Sequence, residues 1–471
     1  MTTSEEVRPK RRGVMQSLTD VSVRYVERLM PDPYLFAVIL TVIVAALVAF
    51  LVKGATPGGM LKAWYGGVWG QQNIFTFAFQ MVLILVTGYT LAEAPVLKRG
   101  IVYIAGKPKN QVQAALLCFG VSAVLHLLNW GLGLVAGALV ARQVAKRLPD
   151  THFGYLIAAS FMGFVVWTQG LSSSIALANT DSSSPINVIH KMTGLTVPLS
   201  ETIFQPYSWL SVLVVLAVLA LAIWRMAPSS TLAPDPAVFD EEEGTEAEAE
   251  PQGKKTFAEW LENLWILNVL IFVAGIAYFW ISGFALNISS MIMLLTITSA
   301  LLHKTPIRFI RAFTSAAKVS GPLLLQYPLY GGLIGLLGYQ ATKDIKPLQT
   351  LLAEALVHGA SEYTLPFLTF VGSLIISLFV PSGGGHWAVQ GPIAVDSALA
   401  IGQHSEGYLG LMSMAVAVGE GVANMIQPFW LLPLLAIAKL NVRQVMGFTI
   451  VAFLIGFVVL GATMLIAPHV I

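Results

Sequence analysis

The stretch PSGGGHWAVQGP, Pro381 to Pro392, places Ser382, Gly383, Gly384, Gly385 and His386 in a row between two strongly apolar segments. Serine offers a hydroxyl donor, and three glycines let a ligand come up against the main chain. If a helix starts here, about four of its N–H groups have no intrahelical partner, and the positive end of its dipole can hold an anion without a full cationic charge. A second stretch, NWGLG, supplies the same parts through Asn129, Gly131 and Gly133. Downstream of each break, small and polar residues interrupt another apolar run. They are Gln169, Ser172, Ser173 and Ser174 in TQGLSSSIAL, and Glu420, Asn424 and Gln427 in GEGVANMIQPF. Their N–H and O–H groups suit an anionic substrate, and their neutral or charged oxygens suit a hard cation such as Na⁺.

Each residue type also has a plainer use. A lone glycine in a membrane helix serves close packing or a kink, and a lone serine bonds back to its own backbone. Two breaks at matching places in two halves of one chain favour a binding site instead. Glu420 and His386 are ionisable groups deep in apolar sequence, while Arg142, Asp396 and Glu93 stand nearer segment ends. Such groups are costly in a bilayer and default to a functional reading. Gln169 holds in the first half the place that Glu420 holds in the second, a neutral amide facing a titratable acid. That asymmetry suits coupling to H⁺ or Na⁺, with a protonated or paired structural glutamate as the competing reading.

The elements that must position these residues follow from composition. With 56% hydrophobic and 11% charged residues over 471, and a mean hydropathy of +0.74, the chain is an all-α polytopic membrane protein. A net charge of +2 gives no footprint for nucleic acid, and a single cysteine, Cys118, excludes an internal disulfide. Apolar runs of spanning length cover Tyr34–Val52, Ile74–Ala92, Phe153–Ala178, Pro206–Trp224, Leu264–Ile281, Ala285–Leu302, Pro322–Gly338, Tyr408–Ala438 and Val445–Ile466, about nine spans. Two interrupted hairpins, 112–147 and 363–402, are either re-entrant or fully spanning. Lys and Arg clusters flank one side throughout, which places the N-terminus in the cytoplasm and the C-terminus outside.

The segments then divide as residues 1–33, a cytoplasmic tail with an interfacial helix near Val14–Leu29, a solvated tail being the alternative; 34–226, a first transmembrane repeat; 227–258, an acidic cytoplasmic linker; 259–284, a connector helix; and 285–471, a second, inverted repeat. Gly131 and Gly170 stand 39 positions apart, and Gly383 and Gly421 stand 38 apart. One extra crossing inverts the second repeat relative to the first. Two inverted repeats with discontinuous helices point to a secondary transporter. A channel would not need them, and no H-E-x-x-H, G-x-S-x-G or P-loop pattern supports an enzyme. No metal site is expected beyond a Na⁺ position, and no cofactor beyond the coupling ion.

PSGGGHWAVQGP, with NWGLGLVAG upstream and GEGVANMIQPFW downstream, resembles the short-chain fatty acid transporter family, the bacterial acetoacetate and butyrate uptake proteins. The resemblance runs from about Leu18 to the C-terminus and leaves out only the acidic linker. In plan the family is similar to the broader ion-transporter superfamily, whose inverted repeats each bring a hairpin and an unwound helix to the substrate. The resemblance implies a small monocarboxylate substrate and a bacterial inner-membrane location. A carboxylate head wants N–H and hydroxyl donors, and its tail wants apolar walls such as Trp130, Trp387, Phe429 and Trp430. A dicarboxylate is the alternative, since two tips can supply two polar poles. The expected partners are that carboxylate and the lipid bilayer, with a homo-oligomer left open.

Overall fold

Lipid cannot pair backbone N–H and C=O groups, so the chain pairs them internally as helices. The computed structural model describes residues 33–70, 75–182, 184, 186–236, 238–239, 256–284, 286, 288–357, 359–380 and 383–471. Among them β-structure amounts to one isolated bridge between His152 and Leu232. The expected surface helix near Val14–Leu29, most of the acidic linker, and Ser382 lie outside the described residues.

The first half contains α1 (Pro33–Leu51), α2 (Pro57–Val68), α3 (Phe75–Ala92), α4 (Pro95–Ala105), α5 (Gln111–Leu128), α6 (Trp130–Arg147), α7 (Phe153–Met162), α8 (Ser174–Asn179), α9 (Val188–Thr193) and α10 (Pro206–Arg225). A 3-10 segment, Gly163–Gln169, prolongs α7. After α11 (Phe257–Glu262) and α12 (Trp265–Ile281) come α13 (Ile288–Leu302), α14 (Pro306–Ala317), α15 (Gly321–Leu337), α16 (Leu348–Val357), α17 (Leu365–Phe379), α18 (Gly383–Ala400), α19 (Glu406–Ala423), α20 (Leu432–Ala438) and α21 (Arg443–Ile466).

Four described stretches are long and apolar enough to cross a bilayer: Gln111–Leu128, Phe153–Thr180, Pro206–Arg225 and Arg443–His469. The bent pair Ala78–Ala92 and Pro95–Ala105 makes a fifth if counted as one. Other apolar runs expected to span, such as Leu264–Ile281 and Ala285–Leu302, give shorter apolar helices, Trp265–Ile281 and Ser289–Leu302, in the 10–17 residue range.

Helix starts follow local chemistry. The side chains of Thr56, Asn110 and Ser405 accept N–H bonds from Gly59, Gln113 and Tyr408 at 3.1, 2.9 and 3.2 Å. Such a cap stabilises a helix by about 1 kcal/mol. Proline at the first turn of α2, α4, α10 and α14 fixes φ where its missing N–H costs nothing.

The two halves pack on each other in a reciprocal way. α2 lies against α15 and α14 lies against α3, while α1 packs on α15 and α13 packs on α3. The hairpin α5/α6 closes on α7 and its 3-10 extension, and α17/α18 closes on α19.

The first hairpin turns on one residue: Asn129 is extended, with φ −154° and ψ 126°, and ends α5 while it starts α6. Each arm has 18 residues, about 27 Å at 1.5 Å per residue, short of a roughly 30 Å hydrocarbon core. The second hairpin has helices of 15 and 18 residues. Its first arm stops early because the residue before a proline is pushed out of the helical region, and Val380 ahead of Pro381 has φ −125° and ψ 79°.

Candidate functional site

The two broken spans touch where glycine permits it. A Cβ on Gly421 of α19 would stand 2.8 Å from Val165 O and 3.0 Å from Thr168 Oγ1, so only hydrogen fits between the halves. Gly170 sits against the Leu127 backbone in the same way, and Leu171 N–H donates to Leu127 O at 2.7 Å. These contacts fix the unwound segments 170–173 and 424–428 beside the hairpin tips.

At the second tip, a Cβ on Gly383 would overlap Ser174 Oγ and come within 3.1 Å of the Trp167 ring and 3.3 Å of Glu420 Oε2. Gly383, Ser174 and Glu420 are therefore neighbours drawn from three elements. His386, one turn into α18, directs Nδ1 at Glu420 Oε2 across 3.9 Å, and both residues are fully buried. The hydrogen on its Nε2 follows from the network behind it. Gln390 Nε2 donates to Thr369 O at 2.9 Å, and a carbonyl can only accept, so Gln390 turns Oε1 toward the histidine. His386 Nε2 lies 2.6 Å from that oxygen and so carries the hydrogen. In the neutral ring Nδ1 then presents a lone pair to the Glu420 carboxyl. Neither Glu420 oxygen, nor Asn424 Oδ1 one turn further on, nor Thr168 Oγ1 has a hydrogen-bond partner among the described residues. Asn424 spends its Nδ2 on Glu420 O.

The first tip is filled by the protein. Leu132 N–H donates to Asn129 Oδ1 at 3.0 Å, Gly133 N–H donates to Asn129 O at 3.0 Å, and Trp130 N–H donates to Ser172 Oγ at 3.0 Å. Gly131 meets Ile84 O at 2.8 Å from a built Cβ, and Gly133 meets the His126 ring and backbone. Asn129 Nδ2 and His126 Nε2 have no hydrogen-bond partner there among the described residues.

An aromatic wall joins the tips. Trp130 meets Trp430 edge-on at 4.8 Å between centroids and Trp167 at 6.4 Å, and Trp167 stacks on Phe164 at 5.5 Å. Phe429 continues the wall to Trp430, Tyr330 and Tyr327. The indole N–H groups of Trp167 and Trp430 are buried without an acceptor among the described residues. Trp167 thus touches both tips, although its sequence shows only an aromatic residue beside TQG.

The remaining candidates point elsewhere. Gln169 turns to α10, its Nε2 donating to Ser211 Oγ at 2.8 Å and Ser208 O at 3.0 Å. It does not share the surroundings of Glu420. Ser173 starts α8 and Gln427 Oε1 accepts from Phe429 N–H at 3.0 Å. Trp387 is fully buried and donates to Asn179 Oδ1 at 3.1 Å, away from the aromatic wall. Gly384 is buried and Gly385 half-buried behind Gly383. Of the outlying charges, Glu93 pairs with Lys98 at 2.7 Å, Arg142 is buried in α6, and Asp396 is exposed on α18. Gln390 and Ser373, which hold His386, went unread because nothing in their spacing marks them.

The class so defined is a helical membrane protein whose two halves bring a hairpin and a broken span each to one buried polar centre. The family model "Short chain fatty acid transporter" matches residues 14–466. A relative bearing the family's name in Escherichia coli (strain K12) is 37% identical over 443 residues, covering 93% of this chain and 96% of its own. Another in Haemophilus influenzae is 33% identical over 448 residues, covering 91% and 95%. Among solved structures, the Alcanivorax borkumensis YdaH transporter aligns over 93% of this chain and 98% of its own at 15% identity and a TM-score of 0.47. The chain belongs to the short-chain fatty acid transporter family, whose members are transporters and not enzymes.

Proposed function

We propose that the chain is a secondary symporter that carries short-chain monocarboxylates such as butyrate and acetoacetate inward across the bacterial inner membrane, together with H⁺ or Na⁺. The observation that supports it best is the facing pair of acceptors, His386 Nδ1 and Glu420 Oε2, 3.9 Å apart and fully buried. Two electron-rich groups in a dry setting are stable only with a proton or a cation between or upon them. The substrate's carboxylate is assigned to the start of α18, where the Ser174 hydroxyl and the Glu420 carboxyl meet Gly383. Anion and acid cannot both be charged at that range. Cation binding therefore permits substrate binding, which is coupling in its simplest form. It is also needed energetically, since moving a monoanion inward costs about 2.3 kcal/mol per 100 mV of opposing potential.

The substrate tail lies along Trp130, Trp167 and Trp430. Monocarboxylate is preferred to dicarboxylate because the first tip spends the N–H groups of Trp130, Leu132 and Gly133 on Ser172 and Asn129, and the Asn129 amide alone is a weak second anion site. The reciprocal packing of α2 on α15 and α14 on α3 supports two repeats, and α12 as the extra crossing supports their inversion. Basic residues such as Lys98, Lys146 and Lys304 support a cytoplasmic N-terminus.

The test is labelled butyrate uptake into sealed vesicles holding the purified protein, under an imposed H⁺ or Na⁺ gradient. Accumulation should follow one gradient, and unlabelled butyrate and acetoacetate should compete where succinate does not. Equilibration that ignores both gradients would mean a channel, and strong competition by succinate would restore the dicarboxylate.

A further inference from the structure

The polar atoms left over at the site sort by sign. At the end of α19 they are acceptors, the Glu420 carboxyl and Asn424 Oδ1, which suit the coupling cation. On the aromatic wall they are donors. The indole N–H groups of Trp167, in the 3-10 extension of α7, and of Trp430, in a second 3-10 segment, Phe429–Leu431, have no acceptor among the described residues. Both rings pack on the same two neighbours: Trp167 stands 6.4 Å from Trp130 and 5.5 Å from Phe164, and Trp430 stands 4.8 and 6.3 Å from them. At 3% and 2% exposure, neither ring is open to solvent. A buried N–H without a partner is costly, so two of them on one wall call for an oxygen on whatever lies along it.

The surroundings select the kind of oxygen. Water can accept both bonds but brings hydrogens of its own, which the ring faces of Trp130 and Phe164 pair poorly. A carbonyl oxygen accepts twice and donates nothing. Trp167 sets its distance from the carboxylate. A Cβ on Gly383 would meet Trp167 Cη2 at 3.1 Å, and along the ring Nε1 is as many bonds from Cη2 as a 3-oxo oxygen is from its carboxyl carbon. A saturated tail puts a methylene there and leaves both N–H groups desolvated and unpaired. A site built to hydrogen-bond a substrate group discriminates against the analogue that lacks it.

We propose that Trp167 and Trp430 form a carbonyl-binding subsite beside the second tip, which selects short-chain 3-oxo acids over their saturated counterparts. This deepens the transport reading and rests on its assignment of the carboxylate to Gly383. The test is equilibrium binding by calorimetry to purified full-length protein, with Na⁺ present at mildly acidic pH so that either coupling cation is supplied, alongside vesicle uptake. Wild type should bind acetoacetate about tenfold or more tightly than butyrate. Trp167→Phe and Trp430→Phe keep an aromatic plate and remove the N–H, so each should weaken acetoacetate while butyrate stays within a few-fold. Retained butyrate binding reports a folded variant, and if one variant misfolds the other decides. Equal binding of the two acids by the wild type, or an unchanged ratio in both variants, would overturn the subsite. Parallel loss of both acids in variants of wild-type thermal stability would move the carboxylate itself onto the indoles and overturn it too, as would tighter binding of succinate than of acetoacetate. A preference in binding without gradient-driven uptake would uphold the subsite and count against the transport reading instead.

Discussion

The two hairpin tips are built from the same residue types and use them oppositely. At the first, Asn129 and Ser172 take up the N–H groups of Leu132 and Trp130, and Gly131 and Gly133 let Ile84 and His126 close over the turn. At the second, Gly383 faces Ser174, Trp167 and the Glu420 carboxyl, whose oxygens have no hydrogen-bond partner among the described residues, with His386 behind. Glycine at the first tip makes room for protein. Glycine at the second lets a hydroxyl, an indole ring and a carboxyl, from Ser174, Trp167 and Glu420, converge on the start of α18. The difference between a structural turn and a binding turn lies in what fills the space a Cβ would take.

The largest expected effect tests that contrast directly. Gly383→Val should cut uptake by more than about 100-fold while detergent-extracted protein keeps near wild-type thermal stability, because the added bulk meets Ser174 and Trp167 at the site. Gly131→Ala should do the reverse, with loss of stability of about 1–3 kcal/mol from overpacking against the Ile84 carbonyl, read as a lowered unfolding temperature. If Gly131→Ala is fully stable and Gly383→Val transports, the contrast between the tips is wrong.

A second variant sharpens the role of the acid at the open tip. Glu420→Gln keeps the shape of a protonated carboxyl, so substrate exchange across loaded vesicles should persist while accumulation driven by a proton gradient disappears. If Na⁺ is the coupling ion, the same variant should lose Na⁺ dependence instead. Gradient-driven accumulation at the wild-type level would remove Glu420 from coupling.

The smallest effect compares two serines. Ser174→Ala takes a hydroxyl from the open tip and should weaken apparent substrate affinity about tenfold or more, as loss of a bond to a charged group costs roughly 1.5–3 kcal/mol. Ser172→Ala strands the Trp130 N–H and should lower stability by about 1–3 kcal/mol with affinity within a few-fold of wild type. Equal shifts in affinity for both would merge the two tips into one site.

Much of the frame was legible because lipid makes sequence speak plainly. The turn at Asn129, the break around Pro381 and the unwinding after Gln169 and Ala423 all fall where glycine, proline and polar residues interrupt apolar runs. The short helices α2, α4, α14 and α16 escaped a search for long apolar windows, being only 10 to 12 residues each. Thr56-Pro57 and Thr305-Pro306 stand at the starts of α2 and α14 at matching places in the two halves, with Thr56 making a side-chain cap and Thr305 making none. The site was harder to read. Gln169 and Glu420 are alike in sequence context, yet Gln169 turns to Ser208 and Ser211 while Glu420 turns to Gly383. Which face of a broken helix a side chain takes depends on the rotation left at the break, and spacing from the nearest glycine does not determine it.

The clasp between α2 and α15 also has a timetable. Gly67 lies against the Gly331 backbone and within 3.2 Å of Gly335 N, measured from a built Cβ, so each helix completes the other. Gly331 follows Gly67 by 264 positions in the chain. At roughly 5–20 residues per second, translation delivers the partner about 13 to 50 seconds late. For that interval the newborn first half carries an unmet seam in the bilayer, open to whatever neighbour the membrane offers.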